Sequence, residues 1–281
     1  MGAALDTIVG TVTAPGAAIT ATAAATGDSF SIRNANPGVG IWLLEAWGSN
    51  NVAGVLRIRS PRMHDNVQGI RAQVGAALPL PLLSHYPLQR LYPQDVLTVE
   101  LSGSGVGGNI ESAILMIYYE DLPGAAARFM SPDQLQSRGV NALTVEVDLA
   151  PGVGGGYTGA GALNKTVDVL KANTDYAIVG ATFSATVGAC TIKGADTGNL
   201  RIPIPGLATH PQLTKDWFWR VSTWSRLPLI PIVNSANKAG TTLEGVATQA
   251  GTAFNISLNM VELAGVGAPA PLVPGSGQVV R

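Results

Sequence analysis

The sequence has little charge, few histidines and a single cysteine. Charged residues make up 12% of its 281 residues, about half the usual share, and the formal net charge is −1. Non-specific binding of nucleic acid depends on clustered Lys and Arg, so this charge balance argues against it. The single cysteine, Cys190, excludes an internal disulfide framework, and its apolar neighbours indicate a small buried side chain.

Long apolar runs and targeting signals are also missing. Because no stretch reaches roughly 18 consecutive apolar residues, the sequence predicts no membrane-spanning helix. Residues 1–26 lack the basic region that opens a signal peptide, and they include the acidic Asp6. We therefore expect the chain to be made and folded in the cytoplasm.

Motifs that carry catalysis are scarce. The three histidines (His64, His85 and His210) follow no metal-binding or triad spacing, and no Gly-x-Ser-x-Gly elbow is present. His64-Asp65 can be drawn as a base with its orienting group, but a loop histidine is the simpler interpretation. A Gly-x-Gly-x-x-Gly match at 154–159 leads into a strand-like segment instead of the required helix. We expect no enzyme activity, no cofactor and no metal site.

Glycine and proline are abundant instead. The chain has 34 Gly and 18 Pro, and 46% of its residues are hydrophobic, which is typical of many short strands joined by turns. An apolar chain with so little charge favours an oligomer that covers part of its surface. The alternative is a β protein whose surface is built from Thr, Ser and Asn.

One stretch of sequence occurs twice in diverged form. Three landmark pairs recur in the same order, at separations of 136, 137 and 149 residues: Pro15 with Pro151, Asn36 with Asn173, and Pro79 with Pro228. The larger last value indicates an insertion of about a dozen residues near 210–219 in the second copy. The pattern predicts two copies of one β domain.

Strand-like segments fill both copies. They number roughly eight per copy, at the spacing typical of a sandwich or jelly roll. Four prolines between Pro79 and Pro93 predict an ordered, extended surface crossing. The expected strands are 5–13, 29–32, 41–47, 52–59, 69–74, 96–101, 110–120, 143–149, 166–170, 176–183, 189–192, 199–204, 216–223, 227–233, 242–248 and 254–263.

A short helix is predicted between the copies. Ser131-Pro132-Asp133-Gln134 has the form of a capping box with Pro at the first helical position, and Gly139 supplies a stop. We therefore expect an all-β chain of two tandem eight-stranded antiparallel domains joined by this helix. The expected organisation is an N-terminal strand with a flexible arm or loop at 1–28, a first domain at 5–124, a connector at 125–141, a second domain at 142–264 and a flexible tail at 265–281.

The tryptophans near residue 220 are the sharpest candidates for an interaction site. On a strand, Trp217 and Trp219 share one face and Phe218 takes the other, with Trp224 nearby. One face is then core and the other an intersubunit anchor. The alternative is a platform that stacks sugars, to which Tyr157 can contribute.

Charged pairs at a spacing of two residues form the second set of candidates. Arg57 and Arg59 share a strand face, which allows a local contact with a phosphate or a partner. The alternative is a solvated strand face. Glu146 and Asp148 also share a face, and we expect it to point to solvent or to another subunit.

The tandem β repeat, the Pro-rich crossings and the connecting helix resemble the double jelly-roll coat proteins of icosahedral DNA viruses and bacteriophages. The resemblance spans about residues 5–263 and is architectural, with no diagnostic motif. It implies two eight-stranded jelly rolls per chain and pseudo-hexagonal trimers that tile a shell. It also implies a virion location after assembly in the host cytoplasm. The expected partners are other copies, lattice neighbours and other virion proteins, with no specific nucleic-acid motif.

Two features qualify this expectation. No basic residue precedes Arg33, so an N-terminal arm that binds the genome is not supported. A head decoration or cement protein, or a tail-associated jelly-roll protein that binds a carbohydrate receptor, has the same sequence character. In that alternative the glycan contacts fall on Trp217, Trp219 and Trp224.

Overall fold

The chain folds into antiparallel sheets with a few short helices. A computed structural model describes residues 2–25, 30–33, 38, 40–49, 52–74, 89–124, 127–149, 156–163, 170–246 and 254–265. Most of these residues lie in strands, and the architecture is an all-β sandwich type.

The first half forms two antiparallel sheets. One has the order β3-β1-β9-β4-β7 and the other β2-β8-β5-β6. The strands are β1 (Gly2–Thr13), β2 (Ala21–Thr22), β3 (Ala24–Ala25), β4 (Ile41–Ser49), β5 (Gly54–Arg59), β6 (Ile70–Val74), β7 (Gln89–Arg90), β8 (Thr98–Leu101) and β9 (Ile110–Leu122).

The second half also forms two sheets, with the orders β10-β16-β13-β18-β11 and β12-β17-β14-β15. Its strands are β10 (Phe129–Met130), β11 (Gly139–Leu149), β12 (Gly161–Ala162), β13 (Asp175–Phe183), β14 (Val187–Lys193), β15 (Ile202–Gly206), β16 (Ile230–Asn234), β17 (Thr242–Val246) and β18 (Phe254–Leu263). Its α-helices are α1 (Pro132–Arg138), α2 (Pro211–Thr214) and α3 (Trp217–Ser225), and short 3-10 helices span Ala195–Thr197 and Ser235–Gly240.

One strand order recurs in both halves. The run β1-β9-β4-β7 corresponds to β11-β18-β13-β16, and β2-β8-β5-β6 corresponds to β12-β17-β14-β15. The offset between equivalent strands of the two halves grows along the chain. It is 132 residues from the start of β6 to the start of β15 (202 − 70), and 144 residues from the start of β8 to the start of β17 (242 − 98). The extra dozen residues lie where α2 and α3 are inserted, as the spacing of the proline landmarks predicts.

The long strand β9 is buried on both faces, which explains its continuous apolar run. Leu115 and Ile117 join the core between the two first-half sheets, together with Leu56 and other side chains. The alternate residues of β9, such as Ile114, join the second-half core instead. The sheet that contains β9 therefore has a hydrophobic partner on each side.

The two halves are held together through this sheet. β1 contacts β15, and β14 contacts both β4 and β9. The Trp47 ring on β4 reaches across, and its Nε1–H donates a hydrogen bond of 2.9 Å to the Gly188 carbonyl. The Thr7 hydroxyl donates across the same boundary to the Arg201 carbonyl, at 2.5 Å. β14 and β15 are correspondingly buried along almost their whole length.

Helix α1 forms as the sequence predicts. The Ser131 hydroxyl accepts from the Gln134 backbone N–H, and the Gln134 side chain accepts from the Ser131 backbone N–H. Together these bonds satisfy two donors that a helix N-terminus otherwise leaves open. Gly139 ends the helix and begins β11, so the connector passes directly into the second half.

The expected strand at 216–223 is wrong, because these residues form α3. Trp217, Phe218 and Val221 are buried at positions i, i+1 and i+4, which place them on one side of a helix. A short aromatic run fits the period of a strand as well as the period of a helix. Here packing against β13 and β16 favours the helix. The expected arrangement of Trp217 and Trp219 on one strand face is therefore wrong as well.

Several expectations fall partly or wholly outside the described residues. These are the strands at 29–32, 166–170 and 242–248, the arm at 1–28, the Pro-rich crossing at 79–93, the connector at 125–141 and the tail at 265–281. The expected strand at 29–32 is represented by a single antiparallel bridge from Ser31 to Val96. Within the arm expected at 1–28, β2 pairs with β8 and β3 pairs with β1.

Candidate interaction surfaces

Arg57 and Arg59 meet on the outer face of β5, where both bind one carboxylate. Arg57 Nε lies 2.6 Å and Arg59 Nε 3.0 Å from Glu100 Oε2 on the neighbouring strand β8. Arg59 Nη2 also donates to Glu100 Oε1 at 3.2 Å. The Glu100 side chain is only 5% exposed, whereas that of Arg59 is 33% exposed. The two arginines thus cover a carboxylate that sequence inspection did not single out.

The charge of Glu100 is set by these contacts. Burial by itself favours the neutral acid, but the hydrogen bonds and positive charges of Arg57 and Arg59 outweigh it and lower the pKa of Glu100 to about 2. Glu100 in turn raises the pKa of Arg59 by accepting its hydrogen bonds. Glu100 and Arg59 are therefore both ionised at neutral pH.

A third arginine extends the cluster. Arg71 on β6 lies directly opposite Arg57, and Arg57 lies directly opposite Glu100, so all three side chains belong to one face. Arg71 is exposed and donates to Gln68. We call Arg57, Arg59 and Arg71 the basic face. Like charges on opposed positions repel, and Glu100 offsets part of that repulsion.

The second half carries an exposed row of opposite sign. Glu146 and Asp148 on β11 are exposed, while Val145 and Val147, which alternate with them, point into the core. Glu146 lies opposite Ser257 on β18, so the row continues onto a polar neighbouring strand. We call Glu146 and Asp148, with the adjoining side chains of β18, the acidic face. Their shared orientation is the one that the period of two predicts.

A shallow groove lies on the same side of this sheet. It encloses about 420 Å³ and is open to solvent. Its floor comes from β11, β13 and β18, and one wall comes from the junction between α2 and α3. The Asn259 side chain donates to the Lys215 carbonyl at 3.0 Å and fastens that wall to β18.

The tryptophans of α3 divide between core and surface. Trp217 is 2% exposed, and its Nε1–H donates to the Pro203 carbonyl at 3.1 Å. Its ring meets that of Trp47 edge to face, with centroids 6.0 Å apart. Trp219 is half-buried against the same core, and Trp224 is 43% exposed. A sugar that stacks on a ring needs an exposed face, which Trp217 does not offer.

The candidate residues thus form separate groups. Arg57 and Arg59 come together in the first half, whereas Trp217, Trp219 and Trp224 share one helix in the second half. Sequence reasoning missed Trp47, which joins the halves, and Glu100, which joins the arginines. The sequence did contain a signal for Glu100, since it is the one acidic residue in the expected strand at 96–101. The interface roles of the arginines and tryptophans stay predictions.

The other candidates have local structural roles. His64 is exposed, and Asp65 accepts backbone N–H groups from Gln68 at 2.7 Å and Val67 at 2.9 Å, which lowers the pKa of Asp65. Cys190 is fully buried as expected, and burial raises the pKa of its thiol. Within the ranges that the structure describes, three or more metal-ligating side chains do not cluster anywhere. The helices in those ranges are too short or too polar to cross a membrane.

Comparison with known proteins gives only distant likenesses. No protein-family model matches the chain. No curated protein matches it either. Among solved structures, the PBSX exported protein XepA shares 10% identity at a TM-score of 0.21, over 84% of this chain and 85% of that one. The major capsid protein P2 from bacteriophage PM2 shares 10% identity at a TM-score of 0.21, over 94% of this chain and 99% of that one. At this TM-score the two likenesses carry no weight for fold or function.

Proposed function

We propose that the chain is a virion structural protein, a phage coat subunit built from two tandem jelly rolls and without catalytic activity. Three copies assemble into a pseudo-hexagonal trimer, and trimers tile an icosahedral shell. The partners are other copies, lattice neighbours and other virion proteins. The protein is located in the virion after assembly in the host cytoplasm.

The recurrent strand order carries this proposal. Each half contains a run equivalent to β1-β9-β4-β7 facing a run equivalent to β2-β8-β5-β6. Two facing four-stranded antiparallel sheets with such non-sequential neighbours support the assignment of a jelly roll to each half. The step from this architecture to a coat function is an analogy with coat proteins that have the same duplicated plan, because a fold does not determine a function.

The duplicated plan suits the proposed assembly geometrically. Two similar halves in one chain let three chains present six near-equivalent sides, so that one kind of surface can meet neighbours in several directions. Many contacts of modest strength then act together across a lattice. The packing of β14 against β4 and β9 supports this use, because it fixes the two halves in one orientation.

Electron microscopy of the purified protein tests the proposal. Negative-stain images are expected to show particles of uniform size with a pseudo-hexagonal outline, or closed shells that form at higher protein concentration. Uniform monomeric particles at every concentration would contradict the coat function. Attention would then turn to glycan binding at Trp224, which glycan-dependent quenching of tryptophan fluorescence detects.

A further inference from the structure

The groove on the outer side of the second-half sheet is lined mainly by apolar residues. Its floor lies where β11 pairs with β18, with the small side chain of Ala142 directly opposite Val261. The junction of α2 and α3, at Lys215 and Asp216, forms a wall beside this floor. Because five of the nine lining residues are apolar, the groove suits an extended, apolar segment of chain. These five are Ala142, Leu143, Val179, Met260 and Val261.

The chain passes through this groove shortly before the described residues end. Val261 lines the groove, and Gly265 is the last described residue. The Ala264 backbone N–H donates to the Arg138 carbonyl at 2.7 Å, so the chain leaves the sheet beside the end of α1. Sixteen residues follow (281 − 265), and they carry one charged side chain, at the last position of the sequence. Residues 268–274 read Ala-Pro-Ala-Pro-Leu-Val-Pro, a sequence without a polar side chain.

We infer that residues 268–274 dock in the groove of their own chain. The groove then supplies an apolar surface for side chains such as Pro271 and Leu272, and the segment covers the open side of the groove. This contact lies within one chain, so it is independent of the proposed coat function.

The length of chain beyond β18 matches the distance to the groove. A strand advances about 3.3 Å per residue, so Gly265 lies at most about 13 Å beyond Val261. An extended chain covers the same distance in reverse with about four residues. Gly265 and Gly267 adopt the backbone conformations of a tight turn at little cost. A chain that reverses there returns to the level of Val261 at residues 269–271, which belong to the apolar segment.

The free-energy cost of ordering this segment is low. Its three prolines favour the extended polyproline II conformation before docking, so less conformational entropy is lost on binding. Three residues in that conformation span about 9 Å, close to the about 10 Å across three neighbouring strands such as β11, β18 and β13. The short connection to β18 also gives the segment an effective concentration in the millimolar range. At micromolar protein concentration, a chain's own segment therefore outcompetes that of another copy.

Disulfide trapping in the full chain tests this contact. The test pair is Ala142→Cys with Leu272→Cys, and the control pair is Val140→Cys with Leu272→Cys. Val140 is exposed, lies outside the groove and is nearer than Ala142 to the place where the chain leaves the sheet. A segment without a preferred site would therefore reach Val140 at least as often as Ala142. The native Cys190 is buried and is the same in both pairs. Thermal melting checks that each variant folds.

Non-reducing electrophoresis during mild oxidation then follows the bridged species. A disulfide needs its two Cα atoms within about 7 Å of each other, so the rate of bridging reports how often the segment occupies the groove. The test pair is expected to form a bridged monomer at least about tenfold faster than the control pair, at a rate independent of protein concentration. Adding Pro271→Asp and Val273→Asp to the test pair is expected to remove this advantage, because carboxylates are costly to place against an apolar surface.

The other outcomes would overturn the docking. Bridging of the control pair as fast as the test pair, or fast bridging that survives the two aspartates, would show that the segment has no preference for the groove. A covalent dimer in place of a bridged monomer would assign the groove to the segment of a second copy and overturn docking within one chain. None of these outcomes bears on the coat function, which the native assembly state tests separately.

Discussion

Glu100 shows how one buried acid organises a surface. Two arginines converge on it from the adjacent strand, and Arg71 lies one strand further on the same face. Without the carboxylate, three guanidinium groups would lie side by side with no opposite charge among them. Removing one member of a buried ion cluster is costly, because the remaining charges stay where water solvates them poorly.

Glu100→Gln is therefore expected to lower the free energy of unfolding by about 1.5–3 kcal/mol, the range for hydrogen bonds to a charged group. Urea denaturation at neutral pH measures the change. The control is Arg71→Gln on the same face, where an exposed substitution shifts the free energy of unfolding by at most about 0.5 kcal/mol. Equal stability of Glu100→Gln and the wild type would show that the cluster does not stabilise the fold.

The same residue predicts a dependence on pH. Because the folded-state pKa of Glu100 is about 2 and its ordinary value is 4.5, the folded state holds the ionised form more tightly than the unfolded state does. This contribution is present in full above pH 4.5 and is lost as the pH falls from 4.5 to about 2. Unfolding titrations in that window are expected to show a steeper acid loss for the wild type than for Glu100→Gln. Parallel curves would contradict the assignment.

At the scale of elements, the strands were more predictable than the helix α3. The alternation at 143–149 and the capping residues of α1 are local signals, and both features formed as predicted. The run at 216–223 has aromatic and β-branched residues that favour a strand in isolation. Its helical outcome depends on packing against β16 and against β13, which ends 34 residues before α3 begins (217 − 183), so the local pattern was insufficient.

Gly180 allows the inserted helices to approach β13. A Cβ atom at this position would lie 2.2 Å from the Thr214 carbonyl oxygen and 2.7 Å from the Lys215 backbone. The strand register also shifts between Ile178 and Gly180, next to the same contact. Only a residue without a side chain lets the junction of α2 and α3 lie this near to the sheet.

Gly180→Ala is expected to destabilise the fold by about 1–3 kcal/mol, because the obstructing atoms belong to the backbone and cannot rotate away. Near-UV circular dichroism during thermal melting follows the tryptophans of α3. Gly240→Ala is the matched control, since a Cβ there meets nothing within 4 Å. Identical melting of Gly180→Ala and Gly240→Ala would contradict the close packing of α2 and α3 on β13.

At the scale of the whole molecule, the two halves share their hydrophobic packing. Leu5, Leu44 and Trp47 come from the first half, but they belong to the core of the second. The sequence repeat predicts two similar β units, but nothing in it indicates which faces meet. That choice depends on side chains such as Trp47 and Trp217, which are 170 residues apart in the sequence (217 − 47).

Trp47→Ala is expected to destabilise both halves together, by about 3–5 kcal/mol, as the loss of a buried aromatic ring does. Differential scanning calorimetry should show one transition for the wild type and one transition at lower temperature for the variant. Trp224→Ala is the control, because Trp224 is 43% exposed and its removal leaves no cavity. Two separate transitions, of which Trp47→Ala moves only one, would show that the halves unfold independently.

As the proposed coat subunit, this chain is expected to assemble with copies of itself. Native mass spectrometry of the purified full chain tests it most directly. One chain has a mass of 28.8 kDa, so the trimer is expected at three times that value, about 86 kDa. A dominant species near 86 kDa, with larger multiples of it, is the predicted result. A single species at 28.8 kDa under all conditions would contradict the account.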